Sequence, residues 1–286
     1  MSTQMRILTF DIEEWFHLLD FADTKTQCQW EGFEVRIHEN VDRILSILEE
    51  KNAKATFFII GWIAKKYPEV VKKIASRYQI GCHTMNHQLV WQQTPQEFEN
   101  DVESCLKLLE DITGKKVECF RAPGFSIRES ETWAFEVLAK LGITTDCSIF
   151  AGRHAHGGMP SFPCQRPAII SCGGITLKEF PINYRRMLGH NIIFSGGGYF
   201  RLFPYWLINK WTKESDDYLL SYIHPRDLDA NQPVLKNLSL PRRFKSYVGI
   251  RHAEKKLRQW LQDYSFTDIR SASEAIDWNN SIKVEL

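Results

Sequence analysis

The feature that most limits how this chain can fold is an alternation of short apolar runs with segments of helical period. Arg6–Asp11 (RILTFD) reads as a buried first strand ending in acidic residues. Residues 40–51 place Val41, Ile44, Leu45 and Leu48 on one helical face, with Asn40 as the expected cap and Asn52 just past the end. Ala55–Ile60 (ATFFII) is the next expected strand, punctuated by Gly61, and a helix is expected over 62–76. Gln79–Cys82 (QIGC) reads as a strand leading into His83. A long helix is then expected over about 95–112, with Thr94 capping, Pro95 at its first position and Glu97 closing a capping box. Val117–Arg121, a helix over about 129–141 stopped by Gly142, and Ile143–Cys147 continue the series. Strands alternating with helices predict an α/β architecture with parallel pairing.

Regularity weakens after Phe150. Residues 151–200 are rich in Gly, Pro and His and read as long loops or an inserted hairpin. It returns with Tyr218–Ile223 as a strand, a helix at about 247–263 and a last strand near 265–269. No repeat, low-complexity tract or composition shift marks a boundary, so one domain over residues 1–286 is expected. Lys and Arg number 36 against 35 Asp and Glu, which offers no reason to invoke nucleic acid. No run approaches the length of a membrane span. The N-terminus shows no apolar signal core, and the seven scattered cysteines form no CxxC pair, so a cytoplasmic protein without a disulfide framework is expected. Nine Trp and nine Tyr suit sugar rings, although core packing is the commoner use of such residues.

Two segments carry chemistry. Asp11 and Glu13 flank Ile12 where the first strand ends, and side chains alternating across a strand put both carboxylates on one side. Adjacent carboxylates repel unless a cation or proton lies between them. A divalent metal on one, with the other left as a base, resolves the conflict; a solvated acidic turn is the plainer reading of that segment alone. His83 and His87 face the same way if their segment opens a helix. With one carboxylate they make a two-His, one-carboxylate set that leaves positions open for water and substrate, as catalytic metal sites do.

Taken in order, the motifs FDxE (Phe10–Glu13), TFFxxG (Thr56–Gly61), HTMNH (His83–His87), FRAPGFS (Phe120–Ser126) and YIHP (Tyr222–Pro225) resemble the polysaccharide deacetylases, and most closely the bacterial branch associated with surface polysaccharides. EFP (Glu179–Pro181), GGGYFR (Gly196–Arg201) and RHAEKKLRQWL near the end extend the resemblance through most of the chain. It implies a single deformed (β/α) barrel of the seven-stranded type, with long loop insertions on the active-site face. It implies Asp11 as general base, Glu13, His83 and His87 as metal ligands, Arg121 as the residue orienting the base, and His224 as the acid that protonates the leaving amine. Zinc is the default metal, and cobalt or nickel suits the same ligands. The pattern departs from the family in three places. Ile12 intervenes between the acidic residues, the arginine motif reads R-A-P-G, and Arg226-Asp227 follows His224-Pro225 where this branch tends to carry Trp-Glu.

The expected reaction is hydrolysis of an N-acetyl group on an amino sugar or glycan, with the oxyanion met by a backbone N–H near Gly124. Asp146 is a candidate partner of His224 or Arg121, or else a strand-end cap. Trp15, His17, Phe125 and Tyr199 are candidate substrate contacts, whereas His154 and His156 lie in the variable loop, away from ligation. Hydrolysis of a small cyclic amide or ureide, and a carbohydrate-binding relic that no longer turns over, stay open as alternatives. The sequence is silent on oligomeric state.

Overall fold

In the computed structural model, which describes residues 4–19, 21–24, 26–215, 217–235 and 237–286, the first apolar run becomes two strands. These are β1 (Met5–Ile7) and β2 (Thr9–Ile12), interrupted at Leu8. After a four-residue α1 (Gln27–Trp30) comes α2 (Ile37–Glu50), which starts three residues before Asn40. Asn40 is therefore inside the helix and caps nothing; it is buried, and its amide donates to Asp229 Oδ2 at 3.1 Å. The cap comes from Glu14, whose Oε1 accepts the N–H groups of Arg36 (2.8 Å) and Ile37 (2.9 Å). A carboxylate at a helix start satisfies orphan donors and meets the positive end of the helix dipole.

The next helix is split. β3 (Thr56–Ile59) leads to α3 (Gly61–Lys66) and α4 (Pro68–Ala75), because Pro68 has no N–H to donate back and sits at a first helical position. β4 (Gln79–Cys82) and α5 (Pro95–Thr113) follow, the latter with the expected Thr94–Glu97 capping box and Gly114 in the left-handed conformation at its end. β5 (Cys119–Phe120), α6 (Trp133–Lys140) and β6 (Thr145–Asp146) complete the regular alternation.

Residues 151–200 hold more structure than their composition signals. They contain two hairpins, β7 (Ala168–Cys172) with β8 (Ile175–Glu179) and β9 (Arg185–Met187) with β10 (His190–Ile192), then α7 (Gly197–Leu202). The chain continues through α8 (Tyr205–Lys213), β11 (Tyr218–Leu220), α9 (Leu240–Tyr247) and α10 (Ile250–Asp263). The strand expected at 265–269 is reduced to a single bridge between Thr267 and Ile7, after which the chain enters α11 (Ile269–Ala275). A further strand, β12 (Ile282–Glu285), closes the order.

These elements form two compact units that alternate along the chain, residues 1–55 with 184–267 and residues 56–183 with 268–286. In the first, β1 pairs in parallel with β11, Ile7 opposite Leu220, and the pairing continues past the strand ends. Ser221 donates to Ile7 O (2.9 Å), Ile223 to Thr9 O (3.1 Å), and Asp11 back to Ile223 O (3.0 Å). In the second, the strands run in the order β12-β7-β8-β6-β5-β4-β3, parallel except for the β7–β8 hairpin. Phe57, Phe58, Phe98, Phe120 and Phe135 are fully buried in this unit, with the Phe98 and Phe120 rings 5.8 Å apart. An open, parallel-rich α/β sheet replaces the closed barrel that was expected: no sheet among the described strands closes on itself. The reason is local. Beyond β6 the chain supplies an antiparallel hairpin in place of a helix and a parallel strand, and β12 then occupies the outer side of β7.

Candidate active site

In the first unit, strand register makes the site. The hydrogen bond from Asp11 N–H to Ile223 O brings the end of β2 level with the turn after Ile223, and so with His224. The imidazole Nε2 of His224 lies 3.7 Å from Glu13 Oε1 and 3.9 Å from Asp11 Oδ2. One ligand-type atom from each of Asp11, Glu13 and His224 falls within 4.8 Å of the others, and both carboxylates are buried. Asp227 Oδ2 receives both the Nδ1–H and the backbone N–H of His224, each at 3.0 Å. A carboxylate only accepts, so Nδ1 carries the hydrogen and Nε2 faces the two acids. Burial opposes charge on this imidazole, but the Glu13 carboxylate, the bond to Asp227 and the charges of Asp227 and Asp11 outweigh it and raise the pKa to about 9. Asp227 is itself held well below the usual carboxylate range. Burial works against it, and the Arg201 guanidinium (Nε to Oδ1, 2.9 Å) and His224 more than compensate.

Arg226-Asp227, the departure from Trp-Glu, thus supplies the acidic partner of the histidine. Asp146 does not take that part. Its oxygens accept Ser148 N–H (2.9 Å) and Ser148 Oγ–H (2.7 Å), the geometry of a strand-end cap, and it hydrogen-bonds to Glu179. Burial pushes both carboxyls up, and the charge of Asp146 beside it pushes Glu179 further.

In the second unit the stagger of parallel strands brings four functional positions to one edge. Cys82 is opposite Phe120, Phe120 opposite Asp146, and Asp146 opposite Glu179. His83 and Arg121 therefore emerge side by side at the carboxyl ends of β4 and β5, the edge at which open α/β sheets bind ligands. His83 Nδ1 lies 2.7 Å from Arg121 O. A carbonyl only accepts, so Nδ1 bears the hydrogen and Nε2 is the basic nitrogen of the ring. The rings of His83 and His87 sit 5.4 Å apart, both buried. They are brought together by a strained loop and not by the helix that was expected. Thr84 (φ 65°) and His87 (φ 55°) adopt left-handed conformations that side chains disfavour, and Thr84 Oγ1 accepts His87 N–H at 3.0 Å. Asp101 on α5 holds this loop, accepting Met85 N–H and Asn86 Nδ2–H, both at 2.6 Å.

The Arg121 segment is held in the same way. Its guanidinium is fully buried over the Phe58 ring at 4.3 Å, and Nε donates to Cys147 O at 3.3 Å. The next residue, Ala122, donates its N–H to Ser148 Oγ (2.8 Å), which links the R-A-P-G turn to the Asp146–Glu179 pair. Gly124 (φ 59°) and Phe125 (φ 50°) turn left-handed, with Phe125 buried.

Other candidates have other surroundings. Trp15 is 3% exposed and donates its indole N–H to Glu34 O at 2.8 Å. His17, also 3% exposed, packs at a tilt against Trp30 at 4.3 Å and accepts the Glu14 N–H through Nδ1. Packing accounts for both placements. Tyr199 is 37% exposed and stacks on Phe203. Sequence reasoning passed over Asp101, Asp227, Arg201 and the Asp146–Glu179 pairing. Of these, Asp227 left a signal as the acid three residues after His224, and Glu179 and Arg201 stand within the EFP and GGGYFR motifs.

The comparisons with known proteins decide the family. Residues 5–145 match the model named Polysaccharide deacetylase, and residues 147–274 match a domain of unknown function, DUF3473. Residues 5–145 form a polysaccharide deacetylase domain. Among curated deacetylases, it is 34% identical over 100 residues to a peptidoglycan-N-acetylglucosamine deacetylase of Bacillus cereus, a match covering 34% of this chain and 36% of that one. It is 39% identical over 102 residues to a chitooligosaccharide deacetylase of Azorhizobium caulinodans, covering 35% and 47%. The match thus spans less than half the length of either relative. A structure described as a candidate polysaccharide deacetylase from Mycobacterium smegmatis superposes with a TM-score of 0.68 over 100% of this chain and 94% of its own, at 16% identity. A CE4-family pseudoenzyme from Bacillus anthracis gives 0.52 over 100% and 71%, at 14% identity. At those identities the likeness shows the deacetylase fold alone.

Proposed function

We propose that this chain hydrolyses the N-acetyl group of an amino sugar in a bacterial surface polysaccharide or its precursor, releasing acetate and leaving a free amine. One observation carries the reading: a histidine whose Nδ1 is fixed by Asp227 directs Nε2 toward two buried carboxylates, Asp11 and Glu13. That is the equipment of a base and an acid working on one bond. The family order of motifs and the relatives named as deacetylases support the substrate class.

The donors fit a divalent metal. His83 turns its Nδ1 to a carbonyl, His87 lies beside it, and Glu13 is a buried carboxylate, the set expected of a catalytic zinc and equally acceptable to cobalt or nickel. When bound, such an ion supplies Lewis-acid polarisation of the acyl oxygen and acidifies water. In the proposed reaction Asp11 takes a proton from water as its oxygen bonds to the acyl carbon. A backbone N–H near Gly124 meets the developing oxyanion. The protonated Nε2 of His224 then gives its proton to the sugar nitrogen as the C–N bond breaks, and the products are acetate and an amine. Arg121 orients the base, as the family pattern implies. All seven cysteines are free thiols, which supports a reducing, cytoplasmic setting as part of the same proposal.

The test is acetate release from N-acetylated chitooligosaccharides, before and after chelation and with zinc or cobalt restored. The expected outcome is release that depends on metal and is abolished in His83→Ala and Asp11→Asn. Metal binding at these ligands with no release from any acetamido sugar would overturn the reaction, and no metal binding would overturn the site.

A further inference from the structure

The charge of this chain is balanced overall, yet two stretches are not. Residues 184–213 and 230–253 together carry ten Lys and Arg and no Asp or Glu. Both lie in the first unit and supply β9, β10, α7, α8, α9 and the start of α10. They also carry most of the large apolar side chains that the described residues leave in solvent. Leu188 is 92% exposed, Trp206 67%, Leu240 81% and Phe244 59%, with Leu202 also exposed. Leu240 and Phe244 lie one turn apart on α9, a helix with no buried residue, and Arg243 and Lys245 are exposed beside them. The helix is nonetheless firmly seated. Arg201 of α7, turned inward onto Asp227, donates to the carbonyls of Lys245 (3.1 Å), Ser246 (2.8 Å) and Val248 (3.2 Å). Gly249 follows at φ 71°, where a Cβ would lie 2.0 Å from Arg201 O.

A fixed helix showing leucine and phenylalanine flanked by cations has the composition of an interfacial membrane anchor. We propose that this face docks on an anionic lipid bilayer, with Leu240 and Phe244 entering the headgroup boundary and Arg243 and Lys245 meeting lipid phosphates. Nucleic acid would explain the cations but not the exposed aliphatic side chains. A two-fold copy of the chain would explain the apolar groups, but it would set the exposed cations of α9 against those of its copy. The proposal is independent of the reaction assigned to the catalytic residues.

The experiment is co-sedimentation of the whole chain with phosphatidylcholine vesicles, with and without phosphatidylglycerol, at low and high salt. The expected result is pelleting that requires phosphatidylglycerol and weakens with salt. Arg243→Glu with Lys245→Glu is expected to lower the partition coefficient by roughly tenfold or more, since each cation near an anionic surface contributes measurably. Leu240→Ser with Phe244→Ser is expected to lower it as well, with an unchanged circular dichroism spectrum showing that the fold is kept. Absence of pelleting, equal pelleting on both vesicle types, or indifference to both double substitutions would overturn it. So would a wild-type dimer that Leu240→Ser with Phe244→Ser converts to monomer, because the face would then be covered by a second copy.

Discussion

At the scale of single residues, the orientation of two imidazoles decides what the site can do. His224 is oriented by Asp227, and Asp227 is held ionised by Arg201. Asp227→Asn keeps the shape but removes the charge and can present its amide N–H to the ring. Steady-state kinetics of this variant are expected to show kcat lowered about 10- to 100-fold with KM nearly unchanged, because the residue acts through the acid and does not hold substrate. An equal rise in KM would mean that Asp227 shapes the sugar pocket instead. The histidine loop depends similarly on Asp101, which holds two left-handed residues in place through Met85 and Asn86. Asp101→Ala is expected to weaken zinc affinity by roughly 10- to 100-fold in calorimetric titration. Affinity within a factor of two of wild type would show that the loop keeps its shape unaided. The catalytic types were legible because carboxylate–x–carboxylate and HxxxH are chemistry written in spacing. Asp101 was not, since one aspartate on a helix carries no mark of the turn it will touch fifteen residues upstream.

At the scale of elements, two joints bear on the site. Gly61 starts α3 where its N–H donates to Thr84 O at 2.9 Å, and a Cβ there would lie 2.2 Å from Met85 Sδ and 3.0 Å from Met85 Cα. Gly61→Ala is expected to destabilise the fold by about 1–3 kcal/mol in urea unfolding, as overpacking does, and to weaken metal binding along with it. The other joint is the start of α2, where buried Asp229 receives Arg36 Nε at 2.6 Å and Asn40. Burial raises the Asp229 carboxyl, but hydrogen bonds from Arg36, Asn40 and the Asn231 N–H outweigh it and hold it below its ordinary value. The folded value lies below the unfolded one, so this contribution is complete above about pH 4 and lost as pH falls through the folded value. Asp229→Asn, which removes the buried counter-charge of Arg36 and leaves it only the exposed Glu34 and Glu39, is expected to cost about 3 kcal/mol at pH 7. Urea unfolding at pH 3 is expected to show a smaller gap between variant and wild type; a gap that widens there would contradict the ion-pair account. Apolar periodicity located α2, α5 and α10 well. It misplaced the start of α2, because the groups that cap it, on Glu14, lie far from it in sequence.

At the scale of the whole molecule, the two family matches meet near residue 146, but the compact units do not divide there. β6 ends at Asp146 and pairs with β8, so the seam between the matches falls inside one sheet. Residues 1–145 expressed alone are expected to lack a cooperative unfolding transition by circular dichroism, while the intact chain shows one. A sharp transition in the fragment would mean that the first match folds unaided. The parallel α/β character was readable from alternation alone, and the closed barrel was not borne out. Closure depends on what lies beyond β6, and a Gly- and Pro-rich stretch gives no sign that it will form an antiparallel hairpin. β12 escaped notice for a related reason. It is a mostly exposed edge strand, with Val284 its one buried residue, and such strands lack the apolar run that betrays a central one.

That edge strand also has a consequence in time. β12 pairs in parallel with β7, more than a hundred residues upstream, Ile282 opposite Ala168. During synthesis the outer side of β7 stays open until residues 282–285 have left the ribosome. For that interval the growing protein shows one unpaired edge of a strand whose Ala168, Ile170 and Cys172 are buried in the finished fold. A cell that makes this protein therefore has to shield that edge from neighbouring nascent chains, and slower translation of the segment between the two strands would lengthen the exposure.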